Sequence, residues 1–156
     1  MRVVSKLPYE VHTGHELEFM LRGTKPLAHF CDEHPAEPCE EIIPEEAFAP
    51  YVADGTFEKL EFVEPLTTPP RASHSHVKGI RHVLYAPPQE AWRITTYIDM
   101  QLRLSLAGWS VELERLQGRL LGYEDWQTDA HIERWRSSKN AGDFPWLAAK
   151  LPSGEP

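Results

Sequence analysis

The stretch IRHVLY at residues 80–85 decides the fold class, because its alternating side chains are typical of a β-strand. Two further segments of strand composition precede it, at residues 27–31 and 57–63. After it, residues 87–90 turn the chain, and Trp92 to Thr95 are predicted to return as a hairpin partner. An alternative extends that last strand to about Leu104, since Thr, Tyr and Ile favour strands.

Helical patterns surround these strands. Thr13 and Glu16 form a capping-box pattern that predicts a helix over about 14–22. Pro44 opens a helical turn that Pro50 restarts and Gly55 ends. The C-terminal part predicts three more helices, which are one from Thr96 with Ile98, Leu102 and Leu106 four apart, one from Ser110 to Gly122, and one from Asp125 to Arg136.

Together these segments predict an α+β fold. A small, mainly antiparallel sheet of about four strands packs against a C-terminal group of about three helices and a short N-terminal helix. We expect a single globular domain over 1–156, with a long loop at 65–79 and a loosely docked tail at 139–156. Whether residues 92–106 are strand throughout, or strand and then helix, stays open at this point.

The composition bounds the class of protein. The 156 residues are 41% hydrophobic and 26% charged, which is ordinary for a globular domain. No apolar stretch approaches the ~20 residues of a membrane span, and the N-terminus lacks the apolar core of a secretion signal. The sequence therefore predicts a cytoplasmic protein, most naturally bacterial, that does not interact with a membrane. Its two cysteines are expected to be reduced thiols.

The negative charge is concentrated in the first half. The net charge is −8, and residues 1–70 hold 14 acidic against five basic residues. No basic residue lies between Lys25 and Lys59. This pattern disfavours nucleic-acid binding through phosphates and favours a basic protein partner. The candidate binding residues are Glu40, Glu41, Glu45, Glu46 and, in a polar-aromatic patch at residues 123–127, Trp126.

Two clusters carry metal- or acid–base-capable side chains. Zinc ligand types occur at His29, Cys31, His34 and Cys39, but the cysteines stand eight residues apart instead of forming a C-x₂₋₄-C knuckle. We therefore predict no metal and no cofactor. The second cluster, in residues 71–82, supplies His74, His76, Arg81 and His82, which could act on a phosphorylated or anionic substrate.

No complete catalytic signature occurs in the sequence. The preferred hypothesis is a non-catalytic acidic interaction protein, that is, a regulator, inhibitor or immunity-type module that binds a basic protein surface. The alternative is a small hydrolase or ligand-binding protein that uses the loop at 71–82. The question of enzymatic activity stays open, although the sequence favours a non-enzyme, and the oligomeric state cannot be read from it.

Overall fold

A computed structural model describes residues 7–66, 70, 72 and 75–137. Within that part of the chain the fold is α+β, with one small antiparallel sheet of three strands and five α-helices. The elements in chain order are α1 Glu16–Leu21, β1 Ala28–His34, α2 Glu45–Ala53, β2 Glu58–Pro65, β3 Gly79–Ala86, α3 Trp92–Ala107, α4 Val111–Leu121 and α5 Asp125–Ser137. A short 3₁₀ turn, Pro88–Glu90, precedes α3.

The central strand of the sheet is β3, which pairs antiparallel with β1 on one side and with β2 on the other. His82 lies opposite Cys31 on β1 and Phe62 on β2. Because side chains alternate along a strand, this row lies on one face of the sheet, and the row of Arg81 lies on the other. The three strands predicted at 27–31, 57–63 and 80–85 are confirmed in type and approximate position.

An apolar core covers the face that carries Val83 and Tyr85. The Phe48 ring of α2 stacks on Tyr85 with ring centroids 4.1 Å apart, and both side chains are buried. Phe30 and Phe57 contact Phe48 from two sides. The helix α2 runs without a break through Pro50, so the predicted restart there is wrong.

The fourth predicted strand is wrong, and so is the alternative that extends it to Leu104. Trp92 begins α3 directly after the 3₁₀ turn. The apolar residues Ile94, Tyr97, Met100 and Leu104 recur every three or four positions and are all buried, which is a helical period. That burial outweighs the strand preference of the Thr and Tyr residues. The buried face of α3 also differs from the predicted face of Ile98, Leu102 and Leu106, because Leu106 is 86% exposed.

The other helix boundaries depend on local caps. The Ser110 side chain accepts a hydrogen bond of 3.1 Å from the Leu113 N–H, and Gly122 ends α4 with a φ of 95°. This prediction is confirmed, as is the helix from Asp125. The N-terminal helix begins only at Glu16, because Gly14 has a φ of 85° and cannot lie inside a helix. The predicted start with Thr13 as N-cap is therefore wrong.

The described residues divide into two compact units, one within 16–94 and the other within 7–15 and 95–137. The single domain over 1–156 stays a prediction. The tail at 139–156 lies outside the described residues, and of the loop at 65–79 only parts are described. Among the described helices, none has the length and apolar character needed to cross a bilayer.

Candidate functional sites

Residues 16–94 contain a cavity of about 590 Å³, which we call the acidic pocket. Its walls come from the C-terminal half of β1, the segment that follows it, and the first turn of α2. Six of its lining side chains are carboxylates, and Arg81 is the single Lys or Arg among the described lining residues. The acidic lining residues are Asp32, Glu33, Glu37, Glu40, Glu45 and Glu46.

Arg81 lies in a network of ion pairs. Its Nη1 donates to Glu45 Oε1, and its Nε donates to Glu61 Oε2 at 3.1 Å. Lys59 Nζ lies 2.7 Å from the other Glu45 oxygen. The hydrogen bond from Arg81 lowers the pKa of Glu45 to about 2, more than its partial burial raises it. Glu45 and Arg81 therefore neutralise each other instead of presenting charge to a ligand.

Glu40 holds the first turn of α2. Its Oε2 accepts the Glu46 N–H at 3.0 Å, and its Oε1 accepts the Ala47 N–H at 2.9 Å. The first N–H groups of a helix have no partner within the helix, and a carboxylate also suits the positive end of the helix dipole. Glu40 is thus engaged in stabilising the helix.

The remaining acidic side chains are less constrained. Within the described part of the chain, Glu37, Glu41 and Glu46 form no ion pair, and all three are exposed. Glu37 and Glu46 line the acidic pocket, whereas Glu41 lies just outside it. Of the four glutamates predicted to bind a partner, Glu40 and Glu45 therefore form contacts within the chain, whereas Glu41 and Glu46 are exposed and form no ion pair with a described residue.

A chain of hydrogen bonds lies on the opposite face of the sheet. His82 Nε2 lies 2.9 Å from Glu64 Oε2, and His82 Nδ1 lies 2.8 Å from His29 Nε2. The His82 side chain is only 3% exposed and stacks on Phe62 with ring centroids 4.6 Å apart. With Glu64 ionised, His82 Nε2 donates to the carboxylate, and a single proton lies between the two imidazoles.

The structure does not gather the described members of the alternative catalytic set. Arg81 and His82 are neighbours in sequence and therefore lie on opposite faces of the sheet. The His76 side chain is 62% exposed, with Nε2 at 3.9 Å from Glu33 Oε2. His74 lies outside the described residues.

The candidate zinc ligands are also spread out. His29 and Cys31 share one face of β1, whereas His34 lies on the other and lines the acidic pocket with Cys39. Among the described residues, no group of three or more His, Cys, Asp or Glu side chains could hold a metal ion. Both cysteines are free thiols.

Trp126 lies in an aromatic cluster of the unit that contains residues 95–156. Its ring meets that of Tyr9 edge-on at a centroid distance of 5.6 Å, and Tyr9 meets Tyr123 at 6.0 Å. The indole N–H donates to the Glu124 carboxylate. Trp126 is 50% exposed, so half of its surface remains accessible.

Glu64 is the residue that the sequence reasoning missed. It is 18 positions from His82, and only the register of β2 against β3 brings the two together. No signal at the level of composition or spacing indicates this pairing.

Comparison with known proteins gives no further information on either site. No protein-family model matches the chain, and neither a curated protein nor a solved structure shows significant similarity to it.

Proposed function

We propose that the protein is a non-catalytic acidic interaction protein, which binds a Lys- or Arg-bearing segment of a protein partner at the acidic pocket. The main support for this proposal is that the most acidic part of the chain forms a concave surface, the acidic pocket. A carboxylate-lined concavity attracts cations more strongly than a flat surface of the same charge, because its walls exclude water and focus the field.

The charge that remains after the internal ion pairs supports the proposal. Glu45 is neutralised by Arg81, and Glu40 is bound to the N-terminus of α2. Glu37 and Glu46 still point negative charge at the cavity without an ion pair in the described part of the chain. A cavity of about 590 Å³ has room for one or two long basic side chains.

The test changes Glu37 and Glu46 and leaves Glu40 and Glu45, which form contacts within the chain, in place. We would measure the binding of a fluorescein-labelled octalysine peptide by anisotropy over a range of salt concentrations. The Glu37→Lys/Glu46→Lys double variant is expected to weaken binding about tenfold, because reversing two pocket charges turns attraction into repulsion. Equal binding by wild type and double variant would contradict the proposal.

The matched control is Glu58→Lys, which reverses an exposed acid on β2 that does not line the pocket. It is expected to change binding less than about twofold, since exposed charges away from the site are screened by salt. A control effect as large as that of the double variant would mean that the peptide senses net charge only. A pull-down of cellular partners with the same variants would show whether natural binding follows the same pattern.

The hydrogen-bonded chain from Glu64 through His82 to His29 favours a second candidate function, which is acid–base chemistry in a small hydrolase or ligand-binding protein. A carboxylate behind an imidazole stabilises the protonated ring, as a general base requires. Because His82 is buried, the half-buried His29 would have to contact the substrate. Arg81 does not support this function, since Glu45 and Glu61 occupy its guanidinium.

This second function is tested with p-nitrophenyl phosphate and bis-p-nitrophenyl phosphate. Turnover by the wild type that falls about 100-fold or more in His29→Gln would support it, since general acid–base catalysis contributes about that much. Absence of turnover above a heat-denatured control, or identical turnover by the variant, would exclude phosphoester hydrolysis at His29.

A further inference from the structure

A smaller cavity lies in the other unit, within residues 1–15 and 95–156, and has a volume of about 190 Å³. We call it the helical pocket. It opens between the N-terminal segment at 7–13 and the helices α4 and α5. Its apolar wall is formed by Leu7, Val11 and Leu121. An apolar cavity of ~150 Å³ accommodates benzene, so the helical pocket can hold a ligand with one six-membered ring.

A buried carboxylate lies in the wall of this pocket. Glu114 is only 7% exposed and belongs to the first turn of α4. Its Oε2 accepts the indole N–H of Trp109 at 3.0 Å. A carboxylate offers about four acceptor positions, and within the described residues Glu114 Oε1 accepts no hydrogen bond. The helix dipole also favours a negative charge at this position.

Among the described residues, no Lys or Arg forms an ion pair with Glu114. Arg115 donates to both oxygens of Asp129, at 2.9 and 3.2 Å. Arg119 forms a similar pair with Asp125. His131 lines the pocket, and burial lowers the pKa of its imidazole more than the attraction of Glu114 raises it. The positive charge of Arg134 lowers the pKa of His131 further.

A second acceptor faces the same cavity. Gln117 lines the pocket one turn after Glu114, and its Nε2 donates to the Tyr97 hydroxyl at 2.7 Å. With the amide nitrogen bound there, the amide oxygen remains an acceptor. The pocket therefore combines one carboxylate, a second acceptor group and apolar walls.

We propose that the helical pocket binds a small organic cation, a primary ammonium on a body with one ring, with the ammonium donating to Glu114 and Gln117. The charge complementarity with Glu114 selects a cation over an anion or a neutral molecule. The apolar wall selects an alkyl or aromatic body over a hydrated metal ion. This site is separate from the acidic pocket, and it does not depend on the function proposed there.

The test compares three probes of one shape, which are benzylammonium, benzyl alcohol and benzoate, by titration calorimetry and by backbone NMR shifts. The wild type is expected to bind benzylammonium at least about tenfold more tightly than benzyl alcohol and to reject benzoate. The shifts should concentrate on Glu114, Gln117 and Leu121. Equal binding of benzylammonium and benzyl alcohol, or no binding of benzylammonium at millimolar concentration, would overturn the proposal.

The variant Glu114→Gln tests the same inference at one residue, since its amide oxygen can still accept from Trp109. It is expected to lose about tenfold in affinity for benzylammonium and none for benzyl alcohol. The control is Glu112→Gln, an acid of the same helix turn that does not line the pocket. Circular dichroism reports whether Glu114→Gln folds. If it does not fold, the selectivity of the wild type among the three probes still decides the proposal.

Discussion

His82 and Glu64 are joined across two strands by a contact of 2.9 Å between the imidazole Nε2 and the carboxylate Oε2. The imidazole is almost fully buried, so removing its acceptor costs more than removing an exposed ion pair. Glu64→Ala is expected to lower the free energy of unfolding by about 1–3 kcal/mol, measured by urea denaturation. Glu64→Gln keeps an acceptor oxygen and should recover most of that loss. Equal losses in both variants would contradict this role, and the exposed Glu58→Ala serves as the control.

Glu40 is expected to contribute to the stability of α2 through its two hydrogen bonds to the backbone. Glu40→Ala leaves the Glu46 and Ala47 N–H groups without that carboxylate, so the free energy of unfolding should fall by about 0.5–2 kcal/mol. The neighbouring Glu41→Ala removes an exposed acid with no such contact and should stay within about 0.5 kcal/mol of the wild type. Similar unfolding midpoints for the two variants would argue against the capping role.

Glu45 makes the stability of the protein depend on acid pH. Its pKa falls from 4.5 to about 2 on folding, chiefly through the Arg81 hydrogen bond, so the folded state binds its proton less readily. The stabilisation is complete above about pH 4.5 and is lost as the pH falls toward 2. Glu45→Gln should therefore be less stable by about 1 kcal/mol at neutral pH, a value reduced by solvent screening. The difference should shrink below pH 4.5, and a gap that is constant with pH would disprove the linkage.

Gly118 is expected to be intolerant of a side chain. A Cβ atom at this position would lie 2.1 Å from Thr128 Oγ1 and 3.3 Å from Thr128 Cβ. Although alanine favours helices over glycine by about 1 kcal/mol, overpacking should make Gly118→Ala less stable by about 1–3 kcal/mol. In a Thr128→Ala background the same change should become neutral or stabilising. The measurement is a double-mutant cycle, in which thermal unfolding is compared for the wild type, the two single variants and the double variant. Additive effects of the two substitutions would contradict the clash.

The parts of the fold that depend on neighbouring residues were predictable. The ends of α4 at Ser110 and Gly122 are predictable from the sequence, because a helix cap depends only on the few residues on either side of it. The strand β3 was recognised from its own composition. The strand prediction for Trp92 to Thr95 is wrong because it depends on local preference, whereas the burial of Ile94 and Tyr97 on one helix face decides the outcome. That burial is a tertiary property.

The sites were less predictable than the fold, for the same reason. The acidic excess was visible in the sequence, but the separation of structural acids from accessible ones required coordinates. Glu40 caps a helix that starts five residues later, and Glu45 pairs with Arg81 from a strand 36 positions away. The sequence places His82 near a basic loop, whereas its partners in the structure come from β1 and β2.

The order of the strands has a consequence for behaviour in concentrated solution. With β3 in the centre, β1 and β2 are the outer strands, and most residues of β2 are exposed. Such edges can recruit the edge of another molecule and start aggregation. Here they carry Asp32, Glu33, Glu58, Glu61 and Glu64. Charged side chains along an edge strand therefore disfavour edge-to-edge pairing between copies of the protein.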